Sequence, residues 1–345
     1  MTKTGTKRVQ VTPKGQTALP VGTDIGAGSS KMVVNGTEIR CPSYILYLPN
    51  DPYEAEEVET GGFVEYLDGD RADLKGKRWF GGSSAKLYDP HGTVRILDEA
   101  KGKITYGLQA TLTCLATQPH QDEWYVGIVA SIQDTQLYAK ELKNALQGHH
   151  TVKFNLNSKP SVVHVEVLAI ANEGQGAIIH SGSKPNETTV LFDFGSRNLT
   201  VSYFGSKGKL INRVLTQLGV SELVHAIAND PEVRKMLDTQ VDEDIIREGI
   251  ENGSLQYGKR GGSFNDAYYR HLEQWASKAI GTAVKLAGDR MKTADNLLAT
   301  GGGTQLVGFD KFLVNRSIRP LQNGALANAK GLQSLAETIV NRRAA

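Results

Sequence analysis

The chain has 345 residues, a formal net charge of +2 and 39% hydrophobic residues. This length suits one large or two medium domains with a real core, and the composition is that of an ordinary globular protein. The small net charge excludes a strong nucleic-acid footprint over the whole chain. No apolar run approaches the ~18 residues of a membrane span, and the N-terminal region lacks the apolar core of a signal peptide. We therefore expect a cytoplasmic protein without direct membrane contact.

The N-terminal segment, residues 1–17, is predicted to be a disordered basic tail. No acid occurs before residue 24, so the local charge is positive, whereas the rest of the chain is slightly acidic. A solvated tail is the favoured interpretation, and a weak contact with DNA, a membrane or another subunit is the alternative. The basic residues of this segment are Lys3, Lys7, Arg8 and Lys14.

Strands are predicted throughout the first half of the chain. A strand–turn–strand unit over 19–34 precedes the hairpin dipeptide Asn35-Gly36, and a further strand is expected over 38–48. The polar residues 49–78, rich in Gly, Asp and Glu, are predicted to be a long irregular excursion. Further strands are expected over 124–131, 151–156 and 162–170.

Helices in this half are predicted from apolar spacing and capping. The spacing predicts a helix over 104–117. Asp134 is a predicted N-cap of a helix that ends near Leu146, with Leu137 on its buried side. A short helix is expected over 173–179.

The second half repeats the strand–turn–strand pattern and then becomes mostly helical. Strands are predicted over 189–194 and 199–204, in the same arrangement as 19–34, so we interpret the two units as a structural duplication. A strand that returns at once after each Asp-x-Gly turn argues against a simple Rossmann unit. The mixture of strands and helices predicts the α/β class. The remaining predicted elements are a third strand over 209–214, helices within 220–288, a strand over 296–299, and helices over 306–314 and 332–340.

The first candidate site, here called the first hairpin, spans residues 24–31. An acid ends the strand, and glycines in the turn let backbone amides approach a phosphate. Lys31 adds a positive charge, and Asp24 can hold Mg²⁺ through water. An ordinary glycine-rich hairpin is the alternative for this motif taken alone. The predicted cofactor-binding residues are Asp24, Gly26, Ala27, Gly28, Ser29, Ser30 and Lys31.

The second hairpin, residues 193–200, repeats an acid at a strand end followed by glycine and a hydroxyl. Two such hairpins that face each other would clamp a triphosphate from both sides, and two unrelated turns are the alternative. Asp193 is a predicted magnesium ligand through water, as Asp24 is. The predicted phosphate contacts here are Gly195, Ser196 and Arg197.

A triple glycine follows the predicted strand 296–299 and precedes a helix. Because glycine destabilises helices and strands, three in a row between ordered elements indicate close approach of a ligand, here a nucleoside. A flexible turn is the alternative. The predicted cofactor-binding residues are Gly301, Gly302, Gly303 and Thr304.

The order of these three motifs resembles that of the superfamily of actin, sugar kinases and 70-kDa heat-shock chaperones. Within it, the chain looks most like bacterial and plasmid actin-like proteins of the ParM/StbA type, over residues 18–342. The resemblance implies an actin-like α/β fold with duplicated ribonuclease H-like domains and a nucleotide cleft between them. It implies domain I over 18–180, domain II over 181–320, and a C-terminal helix, 321–345, that returns to domain I.

The resemblance also implies roles for single residues. Glu173, in a segment similar to the family's connecting segment, would orient or deprotonate the water that attacks the γ-phosphate, and Asp193 would hold that water or the Mg²⁺ shell. A solvated acid at a helix N-terminus is the alternative for Glu173. Arg247 and Glu251 would contact the nucleoside unless they lie on a solvated face. The expected cofactors are Mg²⁺ and ATP, with GTP as the alternative nucleotide.

Two departures from the family pattern concern the second hairpin. Ser196 stands where many relatives have glycine, and Thr200 stands where an acid is common. These differences concern the details of phosphate and metal contact. The stretch 327–332 resembles the Ala-Asn-x-x-Gly segment before the family's last helix.

By resemblance, the expected function is that of an ATPase that assembles head to tail into a filament. It would move plasmid or other DNA through a DNA-binding adaptor protein, without direct nucleic-acid contact of its own. A small-molecule kinase of the same fold and a nucleotide-binding scaffold with little turnover are the alternatives, because a fold alone does not decide function.

Other polar and aromatic residues receive structural interpretations. Exposed positions are predicted for the His149-His150 pair, placed in a turn, and for the loop Lys259-Arg260. A half-buried, satisfied histidine is expected at 164. Core or subunit contacts are expected for Tyr268, Tyr269 and Trp275, and buried free thiols for Cys41 and Cys114.

Overall fold

The structure is a computed structural model that describes residues 18–52, 58–98, 101–237 and 240–344. The predicted basic tail, residues 1–17, lies outside the described residues. The chain divides into two compact units. The first unit runs to Glu173 and takes in Leu332–Ala345, and the second is Gly174–Gly331.

A mixed sheet forms the first unit, and its described residues make ten strands. Their order across the sheet is β3-β2-β1-β8-β10-β9-β5-β6-β4-β7. Only the central neighbours β1, β8 and β10 run parallel among these described pairs. The strands are β1 Leu19–Ile25, β2 Ser29–Val34, β3 Thr37–Pro42, β4 Tyr44–Leu48, β5 Gly61–Gly69, β6 Arg78–Gly82, β7 Val94–Arg95, β8 Glu123–Ile132, β9 Gly148–Phe154 and β10 Pro160–Asn172.

Two strand predictions in this unit are wrong. The single strand expected over 38–48 is broken at Ser43, whose backbone N–H donates to Gly28 and whose carbonyl accepts from Ile96 instead of continuing a ladder. The irregular excursion expected over 49–78 contains β5, which pairs with β6 and β9. Its buried residues, such as Phe63 and Tyr66, were masked by the polar residues on both sides of the strand.

The helices of this unit partly match the predictions. They are α1 Ser83–Tyr88, α2 Gly102–Thr105, α3 Gly107–Ala116 and α4 Thr135–Leu146. The helix expected over 104–117 is two helices, because Tyr106 leaves helical geometry with φ −113° and ψ 5°. The predicted N-cap is confirmed, since Asp134 accepts hydrogen bonds from the backbone N–H groups of Gln136 and Leu137.

Leu137 was predicted to face the core, and this is wrong, because its side chain is 65% exposed. At 100° per residue, Leu137 lies about 140° around the helix from Leu142, whereas Leu146 lies within about 40° of it. Leu142 and Leu146 are buried in the core with Leu108 and Leu112.

The second unit carries a five-stranded sheet in the order β13-β12-β11-β14-β15 among its described residues. Helix α12 begins in this unit, and its residues from Leu332 onward belong to the first. The elements are α5 Gln175–Ser181, β11 Thr189–Phe194, β12 Leu199–Phe204, β13 Leu210–Thr216, α6 Val220–Ala228, α7 Pro231–Leu237, α8 Glu243–Glu251, α9 Asn265–Ala287, α10 Arg290–Thr293, β14 Asn296–Thr300, α11 Phe309–Val314, β15 Arg319–Pro320 and α12 Ala327–Ala344.

The strand–turn–strand repeat is confirmed in both units. β1 pairs antiparallel with β2 and parallel with β8, and β11 pairs antiparallel with β12 and parallel with β14. The short helix expected over 173–179 begins later, at Gln175, because Gly174 adopts φ +80° and leaves Glu173 outside the helix. The helix expected over 306–314 likewise begins later, at Phe309.

The interpretation of the histidine pair as an exposed turn is wrong. Both residues lie in β9, and His150 is fully buried, where Tyr66 Oη lies 2.9 Å from its Nδ1. His149 Nδ1 lies 2.6 Å from Nδ1 of the half-buried His164. Nε2 of His164 is buried without a hydrogen-bond partner, so the expected satisfied histidine is only half satisfied.

The remaining structural interpretations are largely confirmed. Tyr268 and Trp275 are buried in the core of the second unit, while Tyr269 is exposed. Cys41 and Cys114 are buried free thiols, and their hydrogen bond together with burial raises the pKa of the Cys114 thiol. Lys259 and Arg260 are exposed. No helix within the described residues is both long and apolar enough to cross a membrane.

Candidate functional site

The first hairpin places an acid and a lysine opposite each other. Asp24 on β1 pairs with Lys31 on β2, and Lys31 Nζ lies 3.9 Å from Asp24 Oδ2. The Gly26 N–H donates to the Ser29 carbonyl at 3.0 Å and closes the turn. A Cβ atom on Gly26 would lie 3.2 Å from the Ser29 carbonyl oxygen and 2.9 Å from Lys31 Nζ, so the backbone and the lysine both approach this glycine closely. Ala27 is half-buried and Gly28 is exposed at the tip of the turn.

The two serines of this hairpin fasten it to the rest of the unit. Ser43 Oγ donates to the Gly26 carbonyl at 2.6 Å and lies 3.1 Å from Ser30 Oγ. Arg40 Nε donates to Ser29 Oγ at 3.1 Å. Both serines are buried, so their hydroxyls brace the turn in this structure. Their prediction as phosphate contacts stays a prediction.

Three parallel strands bring Asp24 and Glu173 to the same edge of the sheet. β1, β8 and β10 are neighbours, so their carboxyl ends lie at one edge of the sheet. Ser131, near the end of β8, donates its Oγ–H to Asp24 Oδ1 at 2.9 Å. Glu173 follows β10 directly, and its N–H donates to the Ile132 carbonyl at 3.1 Å. The topology therefore places Asp24 and Glu173, far apart in sequence, at the ends of two strands that flank β8.

Lys103 joins these acids and was missed in the sequence. Its Nζ donates to Glu173 Oε1 at 2.5 Å and lies 3.9 Å from Asp24 Oδ1. Its side chain is only 5% exposed, although it belongs to a four-residue helix. No motif surrounds it, and its partners lie 70 or more positions away in sequence. The surrounding sequence, Gly-Lys-Ile-Thr, gives no sign that this lysine is buried.

The second hairpin is held against the triple glycine. Asp193 on β11 pairs with Thr200 on β12 and with Thr300 on β14. Gly301 has φ +90°, and a Cβ atom there would lie 2.3 Å from Asp193 Oδ1. Gly303 is equally constrained, because its Cβ would lie 2.8 Å from Phe194 Cβ. Two of the three motifs predicted from sequence are thus in direct contact.

The turn of the second hairpin binds to helices rather than standing free. The carbonyls of Gly195 and Ser196 accept hydrogen bonds from the N–H groups of Val220 and Ser221 at the start of α6, at 3.0 and 2.8 Å. Arg247 Nη1 on α8 donates to Ser196 Oγ at 3.2 Å. The structure therefore brings Arg247 to the second hairpin, and its predicted contact with the nucleoside stays a prediction. Arg197 lies half-buried in this turn, and Glu251 is exposed at the end of α8.

The predicted nucleoside turn has one open position. Nothing lies within 4 Å of a Cβ built on Gly302, in contrast to its two glycine neighbours. Thr304 Oγ1 donates to the Gly301 carbonyl at 2.8 Å, so this hydroxyl supports the turn. The Gly301 N–H and Thr300 Oγ1 both donate to the Gly324 carbonyl. The turn is rigidly held around a free surface at Gly302.

The charged residues around Asp24 in the first unit suit an anionic ligand. Among the described residues, no group of three or more His, Cys, Asp or Glu side chains could cage a metal. Mg²⁺ bound mainly by phosphates and water requires only one or two protein carboxylates. Asp24 in the first unit and Asp193 in the second are each a carboxylate on a strand of a hairpin, and their prediction as magnesium ligands stays a prediction. Lys31 and Lys103 offer positive charge beside Asp24, as an anionic ligand requires.

Residues 22–176 match the family model described as "Actin like proteins N terminal domain". No curated protein matches the sequence. Among solved structures, the chain is similar to ParM from Bacillus thuringiensis in its apo form, at 14% identity and a TM-score of 0.64. That match covers 95% of this chain and 98% of the other.

Two further structures are similar over nearly the whole chain. An archaeal actin homologue in complex with ADP is 19% identical, with a TM-score of 0.68 and coverage of 92% of this chain and 99% of the other. A 15-stranded ParM filament from Clostridium botulinum is 16% identical, with a TM-score of 0.65 and coverage of 94% and 100%. The fold expected from the three motifs is therefore confirmed.

Proposed function

Because the chain is actin-like in fold and, over residues 22–176, in sequence family, we propose that it is a nucleotide-dependent ATPase that forms filaments. The observation that carries this proposal is the pair of acid-ended hairpins. Asp24 lies with Lys103 and Glu173 at one set of strand ends, and Asp193 lies against Gly301 at another. Each hairpin taken by itself offers a carboxylate beside a glycine turn, which supports a phosphate-binding role for it.

The expected ligand is ATP, with GTP as the alternative, together with Mg²⁺. The archaeal actin homologue that shares this fold was solved with ADP, which supports a purine nucleotide. Bound Mg²⁺ would supply charge neutralisation at the phosphates. Asp24 and Asp193 would hold it through water, while Lys31 and the amides of residues 27–28 and 196–197 would contact phosphate oxygens. The N–H groups of Gly26 and Gly195 instead close the two turns by donating to the Ser29 and Asn198 carbonyls. Gly302, with its open surface, would lie against the nucleoside, and Arg247 and Glu251 on α8 would complete that contact.

Glu173 is the proposed catalytic carboxylate. It stands outside the α5 helix, on the loop after β10, with its side chain one-third exposed. A carboxylate so placed can orient or deprotonate a water molecule, and the loose transition state of phosphoryl transfer requires little beyond positioning and charge screening. Asp193 would hold the same water or the hydrated metal.

Head-to-tail self-association is the proposed mode of assembly. A structure with this fold was solved as a 15-stranded ParM filament, which supports a polymer for this chain. A heterologous contact that does not close produces an open filament. The resemblance to the ParM/StbA type extends the proposal to movement of plasmid DNA in the cytoplasm through a DNA-binding adaptor protein.

Sedimentation combined with phosphate release tests the proposal. The chain should pellet with Mg-ATP or a non-hydrolysable analogue, and the polymer should decay only with ATP as phosphate appears. Asp24→Asn, which removes a carboxylate, should weaken both signals. A monomer that phosphorylates a small molecule would indicate the kinase alternative. A chain that binds nucleotide without polymer or turnover would indicate the scaffold.

A further inference from the structure

Lys103 is a buried cation that lies beside two acids of the first unit, Asp24 and Glu173. Its Nζ lies 2.5 Å from Glu173 Oε1 and 3.9 Å from Asp24 Oδ1. Lysine is almost never so fully buried unless it is paired. The two acids that pair with this buried ammonium group have proposed roles: Asp24 holds the metal through water, and Glu173 orients the attacking water.

The residue before Lys103, Gly102, is packed tightly against the backbone of Ile96. Gly102 begins α2 so close to the preceding 3-10 turn that a Cβ atom would lie 1.6 Å from the Ile96 carbonyl oxygen. The Tyr106 N–H then donates to the Gly102 carbonyl and closes the helical turn. Glycine is required at this contact, and it fixes the direction in which the next residue, Lys103, projects.

The charges of this cluster are balanced through Lys103. Two carboxylates, Asp24 and Glu173, face two ammonium groups, Lys31 and Lys103. Lys31 forms an ion pair with Asp24. Among the ion pairs of the described residues, Lys103 pairs with both Asp24 and Glu173. Removing Lys103 would take away a positive charge 2.5 Å from the Glu173 carboxylate, beside the place proposed for phosphates, and like charges repel strongly where water is scarce.

We propose that Lys103 is a positioning residue that orients the Glu173 carboxylate and screens it from the nucleotide phosphates. The inference rests on the proposed function and deepens it. Lys103 acts through Glu173: it fixes one carboxylate oxygen of Glu173 and adds a positive charge beside the place proposed for the phosphates.

The test is a double-mutant cycle on nucleotide affinity, with Mg-ADP and Mg-ATP titrated into the full chain by calorimetry. Lys103→Met should weaken binding of both nucleotides about tenfold, the size of a coupling between neighbouring charges. In a Glu173→Gln background the same change should have a clearly smaller effect, because Lys103 then keeps only its longer contact with Asp24. A merely structural lysine would weaken binding equally in both backgrounds.

Lys101 provides a matched control. It lies two residues earlier and pairs with Glu141 at 2.8 Å, but both side chains are about half exposed. Lys101→Met removes the same charge from the same segment and should leave nucleotide affinity unchanged. Equal losses for Lys101→Met and Lys103→Met would overturn the assignment, because the effect would then be general electrostatics.

Lys103→Arg is a second variant that tests the proposal even if Lys103→Met does not fold. The guanidinium keeps the charge, so affinity should stay within about threefold of wild type, while its different shape should slow phosphate release by displacing Glu173. Wild-type affinity and wild-type release in both Lys103 variants would overturn the inference and leave the proposed function intact. A wild-type chain that binds neither nucleotide would overturn both.

Discussion

At the scale of single residues, local patterns and distant contacts differ in how far the sequence reveals them. Asp24, Asp193 and Gly301 were predictable, because an acid at a strand end and glycine at a tight turn are local signals. Lys103 was not, because its role depends on a partner 70 residues away. The histidine pair at 149 and 150 was misplaced for the same reason: burial comes from β5 and β10 on either side of β9.

His150 should make the stability of the chain depend on pH. Burial lowers the pKa of His150 to about 4, against an ordinary value near 6.5. The unfolded chain therefore binds more protons between these values, so this stabilising contribution is complete above about pH 6.5 and is lost as pH falls toward 4. Its full size is on the order of 3 kcal/mol. Denaturant midpoints measured from pH 7 to pH 5 should fall for the wild type.

Two variants separate His150 from other titrating groups. His150→Gln keeps polar atoms for Tyr66 and the Leu146 carbonyl but does not titrate, so its midpoint should vary less with pH. His120→Gln removes a surface histidine beside Asp122 and should retain the wild-type slope. An identical slope in wild type and His150→Gln would contradict the assignment.

The triple glycine should divide into structural and ligand-facing positions. Gly301→Ala introduces a Cβ 2.3 Å from Asp193 Oδ1 at φ +90°, so it should destabilise the chain by about 1–3 kcal/mol. Gly302→Ala meets nothing within 4 Å and should change stability by less than about 0.5 kcal/mol, while it weakens nucleotide binding. Chemical denaturation and calorimetry measure the two effects. Equal destabilisation by both substitutions would refute the division.

At the scale of elements, the candidate site residues lie where strands end. The sequence predicts the two hairpins well, since the alternation of β1, β2, β11 and β12 is interrupted only by Asp-x-Gly turns. It cannot predict that β1, β8 and β10 are parallel neighbours, which is what brings Asp24 to Glu173. β5 was missed because its buried residues are embedded in a polar stretch.

The contact between α2 and the preceding turn should control the site from a distance. Gly102→Ala would place a Cβ 1.6 Å from the Ile96 carbonyl oxygen, so α2 must move and draw Lys103 away from Glu173. We expect lower thermal stability and nucleotide affinity reduced toward that of Lys103→Met. Gly281→Ala, in the middle of α9 with nothing within 4 Å, should stabilise the chain by roughly 0.5–1 kcal/mol. Wild-type affinity in Gly102→Ala would show that α2 does not position Lys103.

At the scale of the whole molecule, the order of the motifs predicted the fold, although identities to solved relatives are only 14–20%. Three short motifs suffice because each hairpin joins a strand-ending acid to a glycine turn, and Gly301 has φ +90°, a conformation that few other residues adopt. The same similarity does not extend to substrate, cargo or assembly, since surfaces diverge faster than the core. Filament formation and DNA movement therefore remain proposals.

One variant, Glu173→Ala, should still form filaments while it hydrolyses ATP much more slowly. Glu173→Ala removes the proposed catalytic carboxylate but none of the contacts that hold the hairpins, so it should still bind Mg-ATP and form polymer. Phosphate release should fall by about 100-fold or more, within the range for loss of general acid–base catalysis. Phosphate release that is unchanged in this variant would remove Glu173 from the mechanism.

The central claim is that nucleotide binding drives this chain into filaments, and electron microscopy of the full chain with Mg-ATP tests it most directly. The account predicts filaments with Mg-ATP that disappear as phosphate is released, filaments that persist in Glu173→Ala, and none without nucleotide. Fields of dispersed particles in wild type and Glu173→Ala alike, at a nucleotide concentration shown by calorimetry to saturate the chain, would contradict it.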